Sequence, residues 1–289
     1  MTRPALALLL ASLAAGAVEP LEQPVGRLTL GAYEDRFSDA TGTWKGRFLA
    51  ADWFRDSHGP WSASVAQAQR PEGTGTTFML AKEHGFGDPS WIWGGLSLGS
   101  GADFLPRFRA DLEANLGLGG RWGLALGGAW NRFQDGFTTA VVQAGPSWTG
   151  DAWNGSLRAQ SISYGSGGGS DTGLLADLRW GASSLRRWHT LKLAWGRGII
   201  DSLQPGGGVA SSGATTGGST GSGRGRGKGI GTAGVDGSST GSAPLELILS
   251  TTSHIPLTRR FALKAEAGWG KRDGQFVVFS GGLQAVYTF

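Results

Sequence analysis

A stretch in the middle of the chain leaves little freedom in how it folds. From Arg107 to Leu118 the sequence alternates without a break. Phe108, Ala110, Leu112, Ala114, Leu116 and Leu118 would share one face of a strand, with Arg107, Arg109, Asp111, Glu113 and Asn115 on the other. A helix would scatter those charges around its circumference. The pattern recurs. Trp122, Leu124, Leu126, Gly128 and Trp130 fall in one phase. Trp153, Gly155, Leu157 and Ala159 oppose Asn154, Ser156, Arg158 and Gln160. Leu174, Ala176, Leu178 and Trp180 oppose Asp177 and Arg179. Phe261, Leu263, Ala265, Ala267 and Trp269 oppose Lys264 and Glu266. A soluble sheet packed on one face alternates in the same way. Here the alternation runs through many consecutive strands, with no helix-period segment to cover them. That favours lipid outside and a polar lumen inside.

A second regularity sets the size of the unit. Six turn-like clusters end in an aromatic residue: Trp61, Trp91, Trp122, Trp153, Trp188 and Phe261. Their spacings are 30, 31, 31, 35 and 73 residues, the last enlarged by a low-complexity insertion. About thirty residues suit two membrane strands of ~9–11 residues with a turn and a loop. Each aromatic is read as the first residue of an ascending strand, in a periplasmic girdle.

The expected fold is all-β: a transmembrane antiparallel up-and-down β-barrel of about 14 strands, with 12 as the alternative count. The predicted spans are 25–37, 43–56, 61–70, 75–85, 90–100, 106–119, 121–134, 137–149, 152–164, 171–182, 187–200, 244–254, 259–271 and 275–289. An even number places both ends in the periplasm. Two strands fit less well. The one from Trp91 is apolar on both faces, and Trp188 is out of phase with Leu191, Leu193 and Trp195.

Residues 1–17 read as a secretory signal, with Arg3, an apolar run from Ala5 to Leu13, and Ala15-Gly16-Ala17 before the expected cleavage. Residues 18–289 form the barrel domain. Within it, 205–243 is nearly all Gly, Ser, Thr and Ala around Arg224, Arg226 and Lys228. Such a composition predicts a disordered extracellular loop. With no cysteine in the chain, disulfides, thiolate metal sites and a lipid-bearing cysteine are not expected. The net charge of +4 over 289 residues does not argue for nucleic acid.

The end of the chain points the same way. Phe289, Tyr287, Ala285 and Leu283 share a face in the final strand, which resembles the closing strand of bacterial outer-membrane β-barrels. That resemblance implies an assembly signal at Tyr287 and Phe289. Phe104-Leu105-Pro106-Arg107-Phe108-Arg109, Asp111, Asn115-Leu116, the Trp122 strand, Gly145-Pro146 and Gly281-Gly282-Leu283-Gln284 resemble the YaiO family of outer-membrane β-barrels. The Gly/Ser-rich insertion and the scarcity of tyrosine depart from that family. The resemblance implies an integral barrel of the Gram-negative outer membrane. It implies no catalytic set, and it makes exopolysaccharide export a candidate context.

No catalytic, cofactor or metal site is expected. His58, His84, His189 and His254 lie near periplasmic turns, away from lipid A and surface substrates. Gly165 to Gly169 does not open a helix after a buried strand, so it is no phosphate loop. Ten charged residues are predicted to face the lumen: Arg109, Asp111, Glu113, Arg158, Asp177, Arg179, Lys192, Glu246, Lys264 and Glu266. They would line a water-filled pore, or pair and plug it. Three functions follow in order: a channel or export-associated pore, a closed surface-interaction barrel, and an outer-membrane enzyme. The expected partners are membrane lipid and lipopolysaccharide, the barrel-assembly machinery, and polysaccharide or export components.

Overall fold

The computed structural model describes residues 24–39, 42–54, 59–87, 90–165, 169–182, 187–197 and 245–289. The predicted signal at 1–17, His58 and the predicted loop at 205–243 lie outside the described residues.

Fourteen antiparallel strands close into a barrel in simple sequence order, and the last pairs with the first. They are β1 Gly26–Phe37, β2 Thr43–Trp53, β3 Trp61–Arg70, β4 Gly73–Gly85, β5 Trp91–Ser100, β6 Phe108–Gly119 and β7 Trp122–Arg132. The second half holds β8 Thr138–Thr149, β9 Trp153–Tyr164, β10 Ser170–Ala182, β11 Arg187–Gly196, β12 Glu246–Pro256, β13 Phe261–Arg272 and β14 Phe276–Thr288. The count is fourteen, not twelve. Most predicted boundaries move by one to three residues, and β11 ends four residues early. Arg107 falls in the loop before β6 and is exposed.

The closing seam is long. β1 and β14 pair from Arg27–Thr288 to Phe37–Val278. Beyond the ladder, the amides of Val25 and Gly26 both donate to the Phe289 carbonyl, at 2.7 and 3.0 Å. The strands are tilted. Direct partners from Arg27 run through Asp52, Ser62, Ala81, Gly95 and Asp111. The same row continues through Ala129, Val141 and Ile162 to Asp171, which lies at the opposite rim. A closed sheet requires this stagger.

The packing is inverted relative to a soluble protein. Leu30, Phe78, Leu96, Leu98, Leu112 and Val142 stand outside, each more than half exposed. Asp35, Asp52, Asn131 and Glu246, on the inner face, are almost wholly buried. An apolar band of this extent around a polar interior is stable only against lipid. The buried apolar cluster at Leu175, Ala194 and Ile248, with Phe276 against it, is small. Turn chemistry is local. Gly119 and Gly120 carry φ of 117° and 58° at the β6–β7 turn, where a side chain would be strained.

Candidate functional site in the barrel lumen

The start of β1 and the end of β14 lie at one rim, here called the end-bearing rim. All ten predicted lumen residues lie in the inward phase of their strands, and each is buried or half-buried. Eight more charged or imidazole side chains share the inward phase: Arg27, Asp35, Asp52, Arg70, Glu83, Asp171, His254 and Arg272. Sequence reading missed them. Arg27 and Glu83 do alternate with outward Leu28 and Leu80. In Tyr33-Glu34-Asp35-Arg36, however, both phases are polar, so no face stands out.

The charges are not mixed evenly. Strands β2, β4 and β6 carry an acidic wall: Asp52 and Glu83 near the end-bearing rim, and on β6 Asp111 in the other half and Glu113 at mid-strand. Arg27 on neighbouring β1 holds Asp52 through Nε and Nη2, each at 2.8 Å. Arg109 grips Asp111 with a two-pronged bond, Nε to Oδ2 at 2.6 Å and Nη2 to Oδ1 at 2.5 Å. Its Nη1 donates to Asn131 at 3.2 Å, and Asn131 donates to Thr139 at 2.9 Å. Glu83 and Glu113 form no salt bridge among the described residues.

Strands β9 to β13 carry the basic wall: Arg158, Arg179, Lys192 and Lys264, with Asp177 and Glu266 between them. Asp177 accepts from Arg158 Nη2 at 3.3 Å and from the Ser156 hydroxyl. Glu266 accepts from the Gln284 amide at 2.9 Å. The walls are close enough to interact. The Glu113 carboxyl on β6 lies in electrostatic range of Arg158 on β9 and Lys192 on β11. Between them is a cavity of about 170 Å³ lined by Glu113, Asn115, Ser147, Asn154, Ser156 and Arg158.

Aromatic residues narrow the opposite mouth. The Arg70 guanidinium sits between Trp44, at 3.8 Å, and Phe104, at 4.4 Å. Phe37 adds ring contacts to Trp44 at 4.4 Å and to Phe276 at 5.2 Å. Phe104 is carried on the β5–β6 loop and is 3 % exposed. Below this layer Tyr33 lies over Gly46, where a Cβ would meet the ring at 2.2 Å. A larger residue there would push the ring aside.

The predicted aromatic girdle needs correction at two of its six members. Trp61, Trp122, Trp153 and Phe261 are outward and exposed at the end-bearing rim. Trp91 is inward: it pairs with Gly85 and Asn115, in phase with buried Trp93. Trp188 is also inward, paired with Gly181 and His254. Turn length explains both. An aromatic that follows a turn keeps the outward phase only if the turn length preserves it, and one residue more or less reverses the face. At those places Ile92 and His189 point outward. Trp53 and Trp180 join the rim from descending strands, Trp180 stacked on Trp153 at 6.0 Å. Tyr287 and Phe289 stand on the same rim, with Tyr287 4.9 Å from Phe261 and 6.1 Å from Phe289.

The histidines do not converge. His84 is outward and exposed, His189 Nδ1 meets the Ser253 hydroxyl at 2.9 Å outside the wall, and His254 is buried inside. No cluster able to hold a metal occurs among the described residues.

Residues 26–198 match the family described as YaiO membrane beta barrel domain. No curated protein matches the sequence. Among solved structures, the CymD monoaromatic hydrocarbon channel aligns with TM-score 0.54 at 7 % identity, over 92 % of this chain and 89 % of that one. A bacterial polysaccharide outer membrane secretin aligns with TM-score 0.50 at 9 % identity, over 92 % and 99 %. Omp33 of Acinetobacter baumannii aligns with TM-score 0.45 at 12 % identity, over 92 % and 100 %.

Proposed function

The chain belongs to the YaiO membrane β-barrel family, and we propose that it is a narrow outer-membrane channel for polar solutes. The opposed walls carry this reading. Glu83 and Glu113 on one side and Arg179, Lys192 and Lys264 on the other set a field across the lumen, transverse to the path. Such a field orients dipolar solutes and ordered water, and it penalises apolar ones. Export of a polar polymer such as an exopolysaccharide is one traffic this lumen would suit. The reading assigns no catalytic step.

The Trp44–Arg70–Phe104 stack favours a second reading, a barrel closed at its outer mouth that acts as a surface-interaction module. Planar-bilayer recording separates the two. A channel gives stepwise conductance whose ion selectivity moves towards anions in Glu113→Gln. Folded, heat-modifiable protein that never conducts would leave only the closed reading.

A further inference from the structure

Three cations of the basic wall, Arg179, Lys192 and Lys264, form no salt bridge among the described residues. They cluster rather than disperse: Lys264 lies in electrostatic range of both Arg179 and Lys192, with Glu266 the one acid nearby. Two of them are held by a ring. The guanidinium carbon of Arg179 lies 4.5 Å from the centre of Trp188, and Lys264 Nζ lies 5.6 Å from it. His254 stacks on the same indole at 5.3 Å and 5°.

A ring offsets part of a cation's lost hydration but leaves its N–H groups unused. Arginine held over an aromatic keeps its planar fork of donors, which matches a carboxylate. The group stands near the end-bearing mouth, since Trp188 is at the start of β11 and His254 near the end of β12. Arg179 and Trp188 are only half-buried, so the lumen reaches them.

We propose that Arg179, Lys264 and Lys192, with Trp188, form a binding subsite for a polar solute bearing one carboxylate, at the periplasmic mouth. Three cations beside Glu266 leave net positive charge, with Asp177 already paired with Arg158. The one guanidinium among them offers a single planar fork, which fits one carboxylate. The exposed part of the Trp188 indole offers apolar surface to a carbon skeleton. The inference deepens the channel reading by naming the solute class, although binding itself requires only an accessible mouth.

The test is isothermal titration of the purified full-length protein in detergent micelles, using glucuronate, uncharged glucose and inorganic phosphate. Glucuronate is expected to saturate, with affinity falling as salt rises, and glucose not to bind. Arg179→Gln and Lys264→Gln should each weaken glucuronate about ten-fold, the loss of one charge-assisted hydrogen bond. Arg179→Lys, which keeps the charge without the fork, should fall between. Absence of saturable glucuronate binding by the unmodified protein overturns the proposal whatever the variants do. So does phosphate or glucose bound as tightly, or Arg179→Gln unchanged in a heat-modifiable barrel. Bilayer conductance on the same preparation keeps the two readings apart. Conduction without binding rejects the subsite alone, and binding without conduction rejects the channel alone.

Discussion

The acidic and basic walls dispose of their charges differently. On β1 to β6 two inward arginines, Arg27 and Arg109, pair with carboxylates, and Arg70 lies between rings at the opposite mouth. Arg109 and Asp111 sit two apart on one strand, side by side on one face, and close a bidentate pair. Arg27 crosses one strand to Asp52. What remains there is negative. On β9 to β13 Arg158 and Arg272 reach acids, while Arg179 and Lys264 lie against Trp188. What remains there is positive. A carboxylate partner cancels a charge, whereas an aromatic ring holds it in place without cancelling it. The ring on β11 is therefore as much a cause of the transverse field as the lysines are.

The largest effect should come from breaking the acidic wall's tightest pair. Arg109→Met leaves Asp111 buried without its fork and should destabilise the barrel by about 3–5 kcal/mol, read by urea unfolding in lipid vesicles. Arg109→Met with Asp111→Leu should recover most of that loss. If the double variant is as unstable as the single one, packing and not charge holds this part of the wall.

Selectivity probes the imbalance directly. Neutralising Glu83 and Glu113 together should shift reversal potentials towards anions, and neutralising Arg179 and Lys192 should shift them towards cations. Two shifts in the same direction would dissolve the two-wall picture.

Two tryptophans that look alike in sequence sharpen it further. Trp153→Ala removes an outward rim anchor and should cost about 1–3 kcal/mol of stability with little change in selectivity. Trp188→Ala should change selectivity and salt dependence more than Trp153→Ala does, because it frees Arg179 and Lys264. Equal selectivity in the two variants would put Trp188 outside the conducting path.

The smallest effect on the finished barrel belongs to Phe289. Its carbonyl, not its ring, receives the Val25 and Gly26 amides, so Phe289→Ala should leave unfolding nearly unchanged. If it is the assembly signal, outer-membrane insertion should slow, as followed by the rate at which the heat-modifiable form appears. An unaltered rate would remove it from that role.

Much of this was legible in the chain. Alternation at Arg107–Leu118 and from Trp153 and Phe261 predicts strand, phase and inward charge together, because side chains alternate with period two. All ten charged positions drawn from it lie on the inner face. Legibility failed where a turn reset the phase. Trp91 and Trp188 follow turns as Trp122 and Trp153 do, yet they start their strands facing inward. The mismatch of Trp188 with Leu191, Leu193 and Trp195 was the available warning. Arg27, Asp52 and Glu83 were missed because short polar or small neighbours blur the contrast between faces.

The sequence by itself determined the class of fold and, on strands that alternate cleanly, the phase and the sign of the inward charges, since these depend on neighbours along one strand. It could not determine which charges meet. That depends on shear: the row of partners that begins at Arg27 near one rim reaches Asp171 at the other, and this stagger sets every height in the lumen. Only the closed sheet brought Arg179, His254 and Lys264 around Trp188, and Lys192 into electrostatic range of Glu113. Closure is a global condition on fourteen registers at once, and no local pattern encodes it.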